Sequence, residues 1–266
     1  MGNVSQTQFH SVFAVQPASL NPFKTIGIQA VYVIHARKFT ERAAHIKAQM
    51  AKLAIPFDFI LEEDADAIAP STLERYFSPE YKTRIEECSC TLKHIAALRR
   101  IADNGLRLAL VLEDDAIPAR NFVMELSKIV EEAGTLDPLC AIYIGSGGNM
   151  FVPRSQLKPG RRIYEAHAAR CTEAYLISAP AARARLEWLE RNKIDRPTDH
   201  LFGLIDGQEK IRIYWSEPAI VTQGSMNGLF ASELDGGRKD NPLWRVKLGF
   251  WLQRLRRKYL YRLFRK

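Results

Sequence analysis

The segment LALVLEDDAI, residues 108–117, places five apolar residues directly before three consecutive carboxylates. Its first half is typical of a strand in a parallel sheet that is covered on both faces. In open α/β sheets ligands bind at the carboxyl ends of the strands, where Glu113, Asp114 and Asp115 would lie. Because alternate residues of an extended strand share a face, we expect Glu113 and Asp115 to converge while Asp114 faces elsewhere.

Such a pair of carboxylates favours a cation. Adjacent carboxylates repel each other unless a cation lies between them or one of them is protonated. Mg²⁺ or Mn²⁺ usually takes one or two protein carboxylates and completes its shell with water and substrate phosphates. The pair Glu113 and Asp115 would therefore suit a nucleotide diphosphate. The alternative is a solvated turn, in which Asp115 caps the next helix.

Strand and helix patterns alternate on both sides of this segment. Their order predicts an α/β fold with a single mixed, mostly parallel sheet flanked by helices. The loop 145–162 is long and rich in glycine, as lids and acceptor-binding segments are. The predicted strands are 28–36, 57–63, 106–117, 139–146, the first part of 173–192, and 210–225; the predicted helices are 40–55, most of 71–105, 119–134 and the rest of 173–192.

Basic charge is concentrated in the C-terminal tail. Nine basic residues and no acid follow Asp240, so the net charge of +8 falls to −1 without them. We predict three parts: an N-terminal extension 1–27, one domain 28–240 and a tail 241–266. The four cysteines form no CxxC pair, and no apolar run is long enough to span a membrane.

The tail has the pattern of a basic amphipathic helix. Such a helix with tryptophan beside its apolar face predicts contact with an anionic membrane surface. An RNA-binding or partner-docking helix is the alternative, but phosphate binding would not need the apolar stripe, so no nucleic acid is expected. The stripe consists of Leu248, Leu252, Leu255, Tyr259 and Leu263, joined by Trp251, and it is flanked by Lys247, Arg254, Lys258 and Arg265.

Five motifs in one order resemble glycosyltransferase family 25, the bacterial lipooligosaccharide galactosyltransferase group. They are VYVIHARKFTER (31–42), CSCTLKHIAALRRI (88–101), LVLEDDAI (110–117), TEAYLISAPAARARL (172–186) and RPTDH (196–200). The resemblance covers about residues 29–224. It implies a GT-A-like nucleotide-sugar-binding fold, a UDP-sugar donor, usually UDP-galactose, and metal-assisted transfer to a sugar hydroxyl.

The resemblance also implies roles for individual residues. The acidic trio matches the family intact, as do Cys90 and His94, whereas Ser89 and Lys93 differ. The expected donor-binding residues are His35, Arg37, Arg42, His94 and Asp114. From their chemistry, Glu113 and Asp115 are the expected metal ligands, and Asp199, in a polar break well downstream, is the expected general base. Alternatives stay open: exposed helix-start arginines, a half-buried structural His94, a packed Cys90, and Asp199 as a helix N-cap. His200 could contact metal or acceptor, although a single histidine is more often structural.

We therefore expect a peripheral enzyme on the cytoplasmic face of the bacterial inner membrane. It would move galactose from UDP-galactose onto a lipooligosaccharide core sugar in an inverting step. The same acids could instead serve a metal-dependent hydrolase or phosphotransferase. A catalytically idle membrane-bound adaptor is a further alternative, since His35, Ser89 and Lys93 depart from the family pattern.

Overall fold

The computed structural model describes residues 26–230 and 242–256. The predicted extension 1–27 lies almost wholly outside these residues, as do Lys258, Tyr259, Leu263 and Arg265 of the predicted tail. The strands are β1 Ala30–Ile34, β2 Asp58–Ile60, β3 Ala109–Glu113, β4 Ala116–Pro118, β5 Cys140–Tyr143, β6 Ile163–Ala166, β7 Ala174–Ile177, β8 Arg212–Ser216 and β9 Val221–Gln223. The helices are α1 Thr40–Lys52, α2 Pro70–Tyr76, α3 Ile85–Asp103, α4 Phe122–Ala133, α5 Ala179–Arg191, α6 Thr198–Gln208, α7 Gly224–Asn227 and α8 Leu243–Leu255, with a short 3₁₀ turn at Arg154–Gln156.

Seven strands form one sheet in the order β2-β1-β3-β7-β5-β8-β6. Strand β1 pairs in parallel with β2 and β3, and β5 pairs in parallel with β8. Strand β7 lies antiparallel between β3 and β5, and β6 is an antiparallel edge strand. The predicted mixed, mostly parallel sheet is confirmed.

Helices cover both faces of the sheet. Along β3, Ala109 and Val111 belong to one core, which is packed by α3, α5 and α6, while Leu110 and Leu112 belong to the other, which is packed by α1 and α4. This alternation follows from the two-residue period of a strand. A strand that is buried on both faces must be apolar throughout, which explains the continuous run before the acidic trio.

Two predicted elements are each divided in the structure. The helical segment 71–105 breaks into α2 and α3 around Pro79, whose ring cannot continue a helix, and Ser78 instead donates its backbone N–H to Ile194 O at 2.8 Å. The segment 106–117 turns at residues 114–115, so that β4 leaves the main sheet and pairs with β9. Strand β6, which the sequence pattern did not predict, pairs with β8.

The C-terminal helix α8 confirms the predicted helix over part of the tail. Phe250 is buried on one side of α8, which packs against α7. Asn149 Nδ2 donates to Phe250 O and to Gln253 Oε1, both at 3.3 Å. No helix within 26–230 or 242–256 combines the length and apolar character needed to cross a bilayer.

Candidate active site

A cleft of about 840 Å³ opens at the carboxyl ends of β1 and β3. Because β1 and β3 are parallel neighbours, with Ile34 paired to Glu113, the residues that follow both strands meet at the same edge. Strand β7 is antiparallel, so residues that precede it reach this edge as well. Residues from seven segments line the cleft: 34–42, 64–67, 85–93, 113–115, 171–172, 197–199 and 223–226.

Asp114 does not face away from the cleft, contrary to the expectation for an extended strand. The chain turns after Glu113, and all three acids line the cleft. Asp114 is buried, with Oδ2 at 2.7 Å from His35 Nδ1 and Oδ1 at 3.2 Å from Arg42 Nη1. His35 and Arg42, two predicted donor-binding residues, therefore contact Asp114, which is a third. The Arg42 guanidinium balances the charge of the Asp114 carboxylate.

Glu113 is held by hydrogen bonds from two other parts of the chain. Thr172 Oγ1 donates to its Oε1 at 2.8 Å, and Gln223 Nε2 donates to its Oε2 at 3.1 Å. His94 Nε2 lies 3.6 Å from Oε1. Burial by itself would raise the pKa of Glu113, but the nearby His94 imidazole, followed by the Thr172 hydroxyl, brings that pKa below its usual value.

Asp115 has one oxygen bound and one oxygen unpartnered. Its Oδ2 accepts the backbone N–H of Ser225 at 3.0 Å, so it binds the first turn of α7 rather than capping the next helix in sequence. Its Oδ1 is buried and has no hydrogen-bond partner among the described residues. Burial and then the charge of Glu113 raise the pKa of Asp115 to about 6. A cation beside Oδ1 would relieve both effects, so these carboxylates fit a divalent metal.

A second charged group lies at the same cleft and was not predicted. Lys93 is buried, and its Nζ lies 2.7 Å from Asp64 Oδ1 and 2.7 Å from Glu62 O. Arg37 Nη1 donates to Asp64 Oδ2 at 2.9 Å and to Leu61 O at 2.7 Å, while most of its side chain stays exposed. The lysine and the arginine, followed by backbone hydrogen bonding, hold the pKa of Asp64 below its usual value against the opposing effect of burial.

The predicted general base lies in the first turn of α6 and lines the cleft together with the acidic trio. The N-cap of this helix is Pro197, so the alternative assignment of Asp199 as the cap is wrong. Asp199 Oδ1 accepts the backbone N–H of His200 at 2.9 Å. His200 is exposed and is not among the residues that line the cleft. The start of α6 is fixed by a 2.7 Å contact between the hydroxyls of Thr91 and Thr198.

Several contacts at the site had no assigned role in the sequence patterns. Thr172 is the first residue of the motif 172–186 and lies just before β7, so its position in the sequence could have identified it as a site residue. Gln223 and Ser225 come from a late strand and a one-turn helix, and no motif distinguishes them. Their approach to the trio depends on the pairing of β4 with β9, which is a contact between distant segments.

Comparison with known proteins identifies a family that resembles part of the chain. Residues 28–143 match the model of a family described as Glycosyltransferase family 25 (LPS biosynthesis protein). No curated protein matches the chain significantly. The matched segment contains the acidic trio, His35, Arg37, Arg42 and His94, whereas Asp199 and α8 lie beyond it. The resemblance seen in the sequence motifs is thereby confirmed over residues 28–143, where the chain is similar to glycosyltransferase family 25.

Proposed function

We propose that this protein transfers galactose from UDP-galactose to a hydroxyl of a lipooligosaccharide or lipopolysaccharide core sugar. The observation that carries the proposal is the buried Asp115 Oδ1 beside Glu113, which has no hydrogen-bond partner within 26–230 and 242–256. It lies at a cleft of about 840 Å³, in a segment that matches the family 25 model. A cleft of this size can hold a sugar nucleotide, since ligand sites typically measure about 300–1,000 Å³.

Glu113 and Asp115 would hold a Mg²⁺ or Mn²⁺ ion. When bound, the ion would supply positive charge for the diphosphate of the UDP-sugar. Thr172 and Gln223 fix both Glu113 oxygens, while Ser225 fixes Asp115 Oδ2. These contacts orient the two carboxylates before the donor arrives, which lowers the cost of organising the site.

The donor nucleotide would contact the residues that follow β1. Arg37 has an exposed guanidinium at the mouth of the cleft, where it could pair with phosphate or nucleotide oxygens. His35, Asp114 and Arg42 form one connected group beneath it, and we assign them to the donor as well. His94 supports Glu113 from the interior, which places it behind the donor-binding surface.

Asp199 would act on the acceptor. As the acceptor hydroxyl attacks the anomeric carbon of galactose, its proton passes to the Asp199 carboxylate. The bond from that carbon to the β-phosphate oxygen breaks on the opposite face, and UDP leaves with the electron pair. A single displacement of this kind inverts the anomeric configuration.

Helix α8 supports a peripheral position on an anionic membrane, which we place at the cytoplasmic face of the bacterial inner membrane. Its outward face presents large apolar side chains at helical spacing, which a water-exposed helix does not require. Arg245, Lys247, Arg254 and Arg256 supply charge complementary to acidic headgroups. The exposed apolar residues are Trp244, Leu248, Trp251, Leu252 and Leu255, with exposures between 48% and 62%.

An acceptor-dependent UDP-release assay tests the proposal. With Mn²⁺, UDP-galactose and a truncated lipooligosaccharide, the wild-type protein should release UDP and lengthen the acceptor, whereas Asp115→Asn should do neither. The amide oxygen that this substitution introduces can still accept the Ser225 N–H, so thermal unfolding of the variant should match the wild type. A panel of other UDP-sugars tests the donor assignment.

Two results would contradict the proposal. UDP release without any acceptor would indicate hydrolysis. If calorimetry detected no metal-dependent binding of UDP to the wild-type protein, a catalytically idle adaptor would be the better description.

A further inference from the structure

We propose that Cys90, His94 and Glu113 form a binding site for a thiophilic divalent cation, for which Zn²⁺ is the best match. This site is distinct from the diphosphate-binding ion assigned to Glu113 and Asp115, although Glu113 takes part in both. The Cys90 sulfur, a His94 ring nitrogen and a Glu113 carboxylate oxygen all lie within 4.8 Å of one another. The inference concerns metal binding alone and holds whichever sugars the protein uses.

The three ligands are held by secondary structure. Cys90 and His94 are four residues apart on α3, so their side chains project from the same face of the helix, one turn apart. Glu113 ends β3, whose Ala109 and Val111 share a hydrophobic core with this helix. Bond lengths of about 2.0–2.3 Å in a tetrahedral zinc site place ligand atoms about 3.3–3.8 Å apart. The 3.6 Å separation of His94 Nε2 and Glu113 Oε1 is already in that range.

His94 supplies the observation that points to a ligand. Its side chain is fully buried, and its Nε2 has no hydrogen-bond partner among the described residues. Its Nδ1 lies 3.1 Å from the Tyr175 hydroxyl. When Nδ1 donates its hydrogen to that hydroxyl, Nε2 carries the lone pair that a metal requires. Thr172 holds Glu113 Oε1 in the same way, so two of the three ligands have an orienting partner behind them.

The mixture of ligand atoms identifies the class of ion. A thiolate, an imidazole and a carboxylate together suit Zn²⁺, whereas Mg²⁺ takes oxygen ligands. Binding would form the metal–sulfur bond as the thiol proton leaves to solvent. Three protein ligands leave one tetrahedral position for water or a substrate atom, which is the pattern of zinc sites that take part in chemistry. Cys90 lines the cleft, so an ion could enter from solvent.

Cobalt substitution tests this site with a readout that does not depend on turnover. Co²⁺ added to the chelator-treated full chain should produce a thiolate-to-cobalt charge-transfer band in the near ultraviolet, and one equivalent of Zn²⁺ should abolish it. Cys90→Ser should lose the band, and His94→Gln should weaken Co²⁺ binding at least tenfold. Cys171 also lines the cleft but lies outside the ligand set, so Cys171→Ser is the matched control and should keep the band. Asp115→Asn should keep it as well.

The proposal is overturned if Co²⁺ fails to bind, if it binds without a thiolate band, or if the band survives in Cys90→Ser. Circular dichroism melting of each metal-free variant shows whether a lost band reflects a lost fold, and Cys90→Ala provides a second substitution at the same position. Acceptor-dependent UDP release is measured separately, so failure of either proposal is visible without the other.

Discussion

Asp199 offers the sharpest test at the scale of a single residue. Asp199→Asn should lower kcat by about 10²–10⁴-fold, because an amide cannot accept the acceptor proton. The KM for UDP-galactose and the affinity for UDP should stay close to wild type, since the proposed donor contacts lie elsewhere in the cleft. Steady-state kinetics with varied donor, combined with calorimetric titration of UDP, separates these quantities.

A neighbouring aspartate serves as the control for this experiment. Asp195 pairs with Arg196 and is not among the residues that line the cleft. Asp195→Asn should therefore retain wild-type turnover. A wild-type kcat in Asp199→Asn would show that Asp199 is not the general base and that another residue of the cleft accepts the proton.

Glu173 should make the stability of the protein depend on pH. Burial, opposed by the Gly147 N–H and assisted by the charge of Glu113, raises the pKa of this carboxyl from 4.5 to about 8. The folded state then binds more protons than the unfolded chain between these two values, so the free energy of unfolding falls as pH rises through this window. Glu173→Gln should make the free energy of unfolding less dependent on pH and raise it by on the order of a few kcal/mol at about pH 8.

Urea unfolding near pH 5 and near pH 8, in the presence of a chelator, measures this effect. The amide oxygen of the Glu173→Gln variant can still accept the Gly147 N–H, which lies 2.7 Å from Glu173 Oε1 in the wild type. The Glu173 carboxyl lies close against the backbone of Gly145, where an added Cβ would overlap it. Equal pH dependence in variant and wild type would show that Glu173 ionises normally in the folded state.

At the residue scale, sequence motifs identified the groups that follow strands. His35, Arg42, Glu113 and Asp115 lie at one edge of the sheet, because parallel neighbours bring their carboxyl ends together. The predicted orientation of Asp114 was wrong, since the two-residue period of a strand no longer applies once the chain turns after Glu113. Lys93 and Gln223 could not be assigned, because their roles depend on contacts across the fold.

Between elements, a buried ion pair connects α5 to α6, the helix that carries Asp199. Arg185 Nε and Nη2 each lie 2.7 Å from an Asp206 oxygen, and both side chains are fully buried. Arg185→Met should lower the free energy of unfolding by about 3–5 kcal/mol, because it leaves Asp206 as an uncompensated buried charge. Replacing both partners, as in Arg185→Met with Asp206→Leu, should recover most of the loss.

Denaturant unfolding of the two variants and the wild type decides this point. A loss below about 1 kcal/mol in Arg185→Met would show that Asp206 takes up a proton or reaches water. In that case the ion pair would not be what holds α6 against α5.

Helix α8 carries the prediction about membranes. Trp251→Ser with Leu252→Ser should reduce sedimentation with vesicles of phosphatidylglycerol and phosphatidylethanolamine at least tenfold, because two large apolar side chains no longer enter the lipid. Met124 on α4 is equally exposed but lies outside the stripe, so Met124→Ser is the matched control and should bind as wild type. If the double variant bound vesicles as well as the wild type, the apolar face of α8 would not be the membrane-binding surface.

Element boundaries show where local patterns lose their predictive value. Strands β1, β3 and β5 and helices α1 and α4 lie within their predicted segments, since their apolar patterns directly reflect burial. The division of 106–117 depends on β9, more than one hundred residues later, which no local window contains. Strand β6 was missed because two arginines and a Pro-Gly pair precede a pattern that needs β8 as a partner.

For the molecule as a whole, the uneven distribution of charge should make membrane binding sensitive to salt. The region after Asp240 carries nine basic residues and no acid, while the rest of the chain sums to −1. Raising the salt concentration from about 0.1 M to about 1 M shortens the Debye length from about 10 Å to about 3 Å, so binding to acidic vesicles should weaken markedly. If binding to acidic vesicles did not change with salt concentration, only the apolar side chains would contribute to membrane affinity.

The position of β7 also governs how this fold can be assembled. The strand that completes the middle of the sheet is encoded after both of its neighbours, so a nascent polypeptide emerging from the ribosome must keep β3 and β5 apart until residue 177 is available. A gene fragment that stops at residue 143 would encode the recognisable family segment yet leave two unpaired strand edges in the centre of the protein. Fragments divided between residues 143 and 174 would have to be co-expressed, because neither half possesses a complete hydrophobic interior.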